Sequence, residues 1–135
     1  MEIFGIKTIS LIDYWTIIHI LSGIIIGFLL LKLQKEENAN NKIIISNIIA
    51  ILSLAFAWEI IEYLGEIGVF GNIIKTWLYG IEYLPNRLII DPLSILLGFF
   101  IVLKKPKVFT PATVLCSIWV IIHIFLFKSA VYLNQ

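Results

Sequence analysis

The chain is patterned as long apolar runs broken by short polar ones. Four runs stand out, over residues 14–33, 43–64, 85–103 and 113–133. An α-helix rises 1.5 Å per residue, so about 20 apolar residues cross the ~30 Å hydrocarbon core of a bilayer. The first, second and fourth runs meet that length. The third does so only if its helix starts at Pro85 and kinks at Pro92; a start at Pro92 leaves about 12 residues, or about 18 Å. The pattern predicts an all-α, four-helix transmembrane bundle in one domain, 1–135, with its third span kinked or short. Between the second and third runs, residues 65–84 carry Gly65, Gly68, Gly71 and Gly80 with Phe70, Trp77, Tyr79 and Tyr83. This segment is too glycine-rich for a span, and its aromatics favour the membrane–water boundary, so it is expected to be interfacial or re-entrant. The first 13 residues are expected along the same interface.

Composition agrees with a membrane solvent. Hydrophobic residues make up 60% of the chain and charged ones 14%, with a mean hydropathy of +1.00; soluble domains are about 25% charged. A net charge of +1 and no basic run longer than Lys104-Lys105 exclude a nucleic-acid partner. The single Cys116 allows no internal disulfide and is expected to pack as a small apolar residue. Lys7 alone is basic before the first run, and no short apolar core followed by small residues marks a cleaved signal, so that run is expected to be retained.

Loop charges orient the bundle. Lys32, Lys35, Lys42, Lys104, Lys105 and Lys107 fall on one side, against Lys7, Lys75, Arg87 and Lys128 on the other. The positive-inside bias places the first group in the cytoplasm and both termini outside the cell membrane.

Acids inside the apolar runs change the picture most. Glu59, Glu62 and Asp91 lie in or beside spans, as does His19. A charge at the bilayer centre costs roughly 2.5–3.5 kcal/mol on insertion scales, so such groups turn to a protein interior and serve a site. At 100° per residue, Arg87, Asp91, Ser94 and Gly98 fall within about 60° of one another. Ala55, Glu59, Glu62 and Glu66 do the same on the second span, and His19, Ser22, Gly23 and Ile26 on the first. Small residues beside acids suit close helix packing around a polar centre.

Each residue also has a plainer reading. Asp91 before Pro92 is a good helix start. Glu62 and Glu66 could sit at a wet boundary, Arg87 could pair with an acid or a lipid phosphate, and His19 could bond a neighbouring helix. His123, between Trp119, Ile122 and Phe125, reads as structural, and Lys128 as snorkelling to the interface.

Three chemistries remain open on these residues. His19, Glu59, Glu62 and Asp91 offer one imidazole and three carboxylates, a set that suits zinc, manganese or magnesium better than copper. Glu59 and Glu62 could instead carry protons. Arg87, with Ser94 and Glu62, could bind an anionic head group, for which a lipid-linked phosphate is the natural substrate, with Glu59, His19 or Asp91 as catalytic base. Neither Ser22 nor Ser94 lies in a nucleophile motif.

The order Asp13-Tyr-Trp-Thr-Ile-Ile-His19, then Trp58-Glu59-Ile-Ile-Glu62, then Arg87-Leu-Ile-Ile-Asp91-Pro-Leu-Ser94-Ile-Leu-Leu-Gly98 resembles the VanZ-like family of small membrane proteins. The likeness makes His19, Glu59, Arg87, Asp91 and Gly98 signature positions. Glu62 stands where the family usually has Gln, and Ser94 stands near an expected Asn. The founding members are associated with resistance to a glycopeptide antibiotic that binds cell-wall precursors. The resemblance implies a cell-envelope protein acting on, or sensing, an envelope lipid. The expectation is binding or modification of an anionic lipid or lipid-linked precursor at an outward-facing pocket, with a divalent metal as the candidate cofactor. The alternatives are a proton- or cation-coupled carrier, working as a homo-oligomer because four short helices enclose little volume, and a non-catalytic structural subunit.

Overall fold

The first helix, α1 (Tyr14–Leu33), starts where Asp13 caps it. The Asp13 carboxylate accepts the Trp15 and Thr16 backbone N–H groups at 2.8 and 3.1 Å, and the Thr16 hydroxyl accepts the Asp13 N–H at 3.2 Å. This reciprocal pairing satisfies donors that a helix start leaves open. The computed structural model describes residues 2–34, 41–78 and 80–125. Lys35, Tyr79, Lys128 and the fourth run beyond Phe125 lie outside them, as does the His123 side chain.

Helix α2 (Asn41–Glu66) is longer at both ends than the expected 43–64. Its last turn leads through Gly68 and Gly71, both at φ +93°, into the short α3 (Asn72–Leu78). Positive φ costs glycine nothing, so the chain can reverse here and lay α3 back on the end of α2. There Gly65 leaves room for Leu78 and Ile74. The segment expected to be interfacial is thus a turn and a two-turn helix.

The third run is one helical stretch in two windings. A π-helical turn (Asn86–Ile90) passes into α4 (Asp91–Lys104). Pro92 has no N–H and its ring crowds the carbonyl four residues back; the wider winding just before it absorbs both effects. The turn closes with the Asp91 N–H donating to the Asn86 carbonyl. A 3₁₀ turn (Pro106–Val108) then leads to α5 (Phe109–Phe125).

Helices α1 and α4 make the closest contact. A methyl group on Gly23 would strike the Ile95 carbonyl, and one on Gly98 the Ile20 carbonyl. Ile24, Ile51, Ala55, Ile95, Phe99, Val102 and Ala112 form the apolar core beside this crossing. The Phe28 and Phe109 rings stack at 4.1 Å to bring α5 onto α1. At the end away from Asp13, the amides of Gln34 and Asn47 bond each other reciprocally at 2.8 and 3.1 Å, tying α1 to α2.

Three helical stretches are long and apolar enough to cross a membrane: Tyr14–Leu33, Asn41–Glu66 and Asn86–Lys104. The described part of α5 is a shorter apolar helix. Large apolar side chains such as Ile17, Ile49, Phe56, Ile60, Leu93 and Leu97 face outward, as suits lipid rather than water. The chain is a helical membrane protein. Residues before Asp13 add a short parallel ribbon, β1 (Glu2–Phe4) with β2 (Ser10–Ile12), in the register Glu2–Ser10 and Phe4–Ile12.

Candidate functional site

The polar stripes of the three spans meet at one end of the bundle, under the N-terminal ribbon. His19 comes from the second turn of α1, Glu59, Glu62 and Glu66 from the last turns of α2, Arg87 from the π turn, and Asp91 from the first turn of α4. Glu59 is 2% exposed, Arg87 5% and Asp91 0%.

Two cations are threaded into this acidic ring. The loop between β1 and β2 drops Lys7 inward until it is 1% exposed. Its ammonium lies 2.9 Å from Glu62 and 2.6 Å from Glu66, while its carbonyl accepts the Tyr83 N–H at 2.9 Å. Arg87 reaches Glu66 at 2.6 Å, Glu82 at 3.3 Å and Glu59 at 3.6 Å, and its guanidinium lies 5.4 Å from the centre of the Tyr63 ring. Glu82 is fixed by the Asn86 amide at 2.8 Å, and its own backbone N–H donates to Glu66. An anionic head group would have to displace three carboxylates to reach Arg87.

In the remaining triangle no Lys or Arg among the described residues pairs with Asp91. The His19 Nε2 lies 3.4 Å from Asp91 and 3.9 Å from Glu59. The other Asp91 oxygen accepts a long bond, 3.4 Å, from the Thr16 hydroxyl. The Asp91 carboxylate is therefore turned into the site, not onto the backbone of its own helix as a cap. Among the described residues, both Glu59 oxygens lack hydrogen-bond partners, and Asp91 Oδ2 has none besides the Glu82 carboxyl that faces Asp91.

Outside the spans, burial raises the pKa of two carboxyls. Asp13 sits above the ordinary aspartate value because burial outweighs its two backbone bonds. Glu82 is pushed up to about 7 by burial and by the charge of Glu62, against the pull of Lys7, a hydrogen bond shared with the Asp91 carboxyl, and Arg87.

Two sets of ligand atoms are close enough to share an ion, each within 4.8 Å: His19 with Glu59 and Asp91, and Glu59 with Glu62 and Glu82. Beside them α1, α2 and α3 leave a cavity of about 340 Å³ lined by Trp15, Leu54, Trp58, Trp77 and other apolar side chains, with His19, Ser22 and Glu62 as its polar groups. His19 and Glu62 thus belong to both the cavity wall and the polar cluster.

Of the residues expected from the sequence, His19, Glu59, Glu62, Arg87 and Asp91 converge. Ser94 is buried on the same face of α4 and joins none of these ion pairs. Lys7, Glu82, Asn86 and Thr16 were not anticipated, and Glu66 lies in the buried cluster instead of at a wet boundary. A lone Lys ahead of the first span and an acid five residues before Arg87 are the only traces of them in the sequence. No family model, no curated protein and no solved structure matches this chain.

Proposed function

We propose that this protein binds a membrane amphiphile, a lipid or lipid-linked precursor of the cell envelope, in the manner expected of a VanZ-like protein. The apolar part enters the cavity between α1 and α2, and the head meets the buried polar cluster. The observation that carries this reading is the continuity of the two: His19 and Glu62 line the cavity and belong to the ionic cluster. At about 340 Å³ the cavity falls within the ~300–1,000 Å³ range of small-molecule sites, and its mostly apolar wall with few polar groups is typical of them. Arg87 would orient its neighbouring carboxylates in this scheme, since Glu59, Glu66 and Glu82 already engage it.

The test is mass spectrometry of lipids that co-purify with the detergent-extracted protein, comparing the wild type with Ser22→Trp. Ser22 lines the cavity but makes no ion pair, so the bulky ring should expel the lipid while the protein keeps its melting temperature. Equal lipid retention in both proteins sinks the reading.

The surplus of acids favours a second reading, a proton- or cation-coupled carrier. Among the described residues, Glu59, Glu62, Glu66, Glu82 and Asp91 face only Lys7 and Arg87 as permanent cations. Proteoliposome flux that Glu59→Gln abolishes, with no lipid requirement, would select it.

A further inference from the structure

We propose that His19, Glu59 and Asp91 form a site for one divalent cation of the zinc or manganese class, with a coordination position left for water or a substrate oxygen. The inference goes beyond amphiphile binding and does not rest on it.

Charge is the first argument. Lys7 accounts for Glu62 and half of Glu66, and Arg87 for the other half of Glu66 and for Glu82. Glu59 keeps only a 3.6 Å approach of the Arg87 Nε, and Asp91 has His19 as its one basic partner among the described residues. Two buried carboxylates are thus left without a full counter-charge, which an interior of low dielectric penalises heavily.

Geometry is the second argument. Ligand atoms about 2.1 Å from one ion at tetrahedral angles stand about 3.4 Å apart. The His19 Nε2 lies 3.4 Å from Asp91 and 3.9 Å from Glu59, and all three ligand atoms fit within 4.8 Å. The 3.9 Å separation is too long for a hydrogen bond yet close to the edge of a coordination tetrahedron. The ligand atoms are also accessible to an ion: both Glu59 oxygens are buried without hydrogen-bond partners among the described residues, and Asp91 Oδ2 has none besides the Glu82 carboxyl that faces Asp91, a contact the ion would replace.

The same reasoning rejects the neighbouring triangle. Glu59, Glu62 and Glu82 are equally close, but Lys7 stands 2.9 Å from Glu62 and Arg87 3.3 Å from Glu82. Those side chains already supply the positive charge there, and they would repel an ion. The acidic end of the bundle therefore holds three cation positions, two filled by the chain itself and one suited to a metal. One imidazole with two carboxylates is a borderline-to-hard donor set, and three protein ligands with a free position is the form of catalytic rather than structural zinc sites. Glu62, grouped with the ligands from its sequence, is assigned instead to Lys7.

The experiment is equilibrium dialysis of chelator-stripped, detergent-purified full-length protein against zinc or manganese, read by elemental mass spectrometry. The expected result is about one ion per chain, weakened at least about a hundredfold in His19→Ala and in Asp91→Asn, since even outer-shell changes cost 10–100-fold. Leu97→Val, on the outer face of α4, should retain it. A second readout is taken on the wild type, with a variant needed only to assign its two imidazoles. The chain has two histidines, His19 and His123. With ¹⁵N-labelled imidazoles assigned through His123→Gln, zinc should shift the His19 resonance alone. No bound ion in the wild type, or a shift at His123 only, overturns the proposal. Equal lipid retention in the wild type and Ser22→Trp, with zinc still bound, would count against the amphiphile reading alone.

Discussion

Lys7 brings a full charge into a space where it is 1% exposed, and the Glu62 and Glu66 carboxylates beside it make that position tenable. Removing one member of a buried ion pair leaves the other uncompensated, which costs about 3–5 kcal/mol. Lys7→Met should therefore lower the melting temperature in detergent strongly, and adding Glu62→Gln should restore part of the loss through coupling. A loss below about 1 kcal/mol, the level of an exposed pair, would place Lys7 in water. Glu82 makes a prediction of opposite kind. Its folded value of about 7 lies above the ordinary glutamate value of 4.5, so the native protein holds a proton that the unfolded chain has released. Its contribution to stability is complete below about pH 4.5 and is lost as pH rises through 7, by about 3 kcal/mol at most. Melting curves across this window should fall with rising pH for the wild type and fall less for Glu82→Gln. Parallel curves would remove Glu82 from the account.

Helices α1 and α4 touch at Gly23 and Gly98, where neither can gain a methyl without striking a carbonyl of the other. Small residues let membrane helices approach this closely and gain dispersion contacts that lipid cannot replace. Gly98→Val should separate the pair, cost upwards of about 1–3 kcal/mol as overpacking does, and carry Asp91 away from His19. Leu97→Val, on the lipid side of the same turn, is the control; equal melting temperatures would deny the crossing its role. Though their pairing was not, the small residues of this crossing were legible in the sequence, since Gly23 shares the stripe of His19 and Gly98 that of Asp91. So were the three polar stripes, because periodicity records which side chains share a face. Partners supplied by turns and loops were not legible. Lys7 meets Glu62 across 55 residues of chain, and Glu82 lies outside any helix, so no local pattern announces either. Arg87 read as an anion clamp because the carboxylates that surround it arrive partly from that unpatterned segment. The π turn escaped notice for a related reason: Pro92 signals a disturbance in the helix without saying which winding will absorb it.

At the scale of the molecule the usual distribution is inverted. Among the described residues, thirteen polar or charged side chains are buried against seven hydrophobic ones, while Ile, Leu, Phe and Trp side chains cover the outside. The bundle gains little by hiding apolar surface from lipid, so helix packing and the ion pairs at one end carry its specificity. This has a consequence for how the protein is made. Glu59, Glu62 and Glu66 are synthesised before Arg87, so α2 must partition into the bilayer with three acids and without the guanidinium that later joins them. Lys7 has by then already been made, at the mouth of α1. It can serve as a resident counter-ion that lowers the charge on α2 at the moment of integration, before Arg87 takes its share. In translation arrested once α2 has left the ribosome and Arg87 is still within the exit tunnel, Lys7→Gln should reduce the fraction of α2 protected as a transmembrane segment, and Arg87 can offer no rescue. Unchanged protection would mean that α2 enters with its acids protonated. The order in which charges leave the ribosome would then be one more property written into the position of a single lysine.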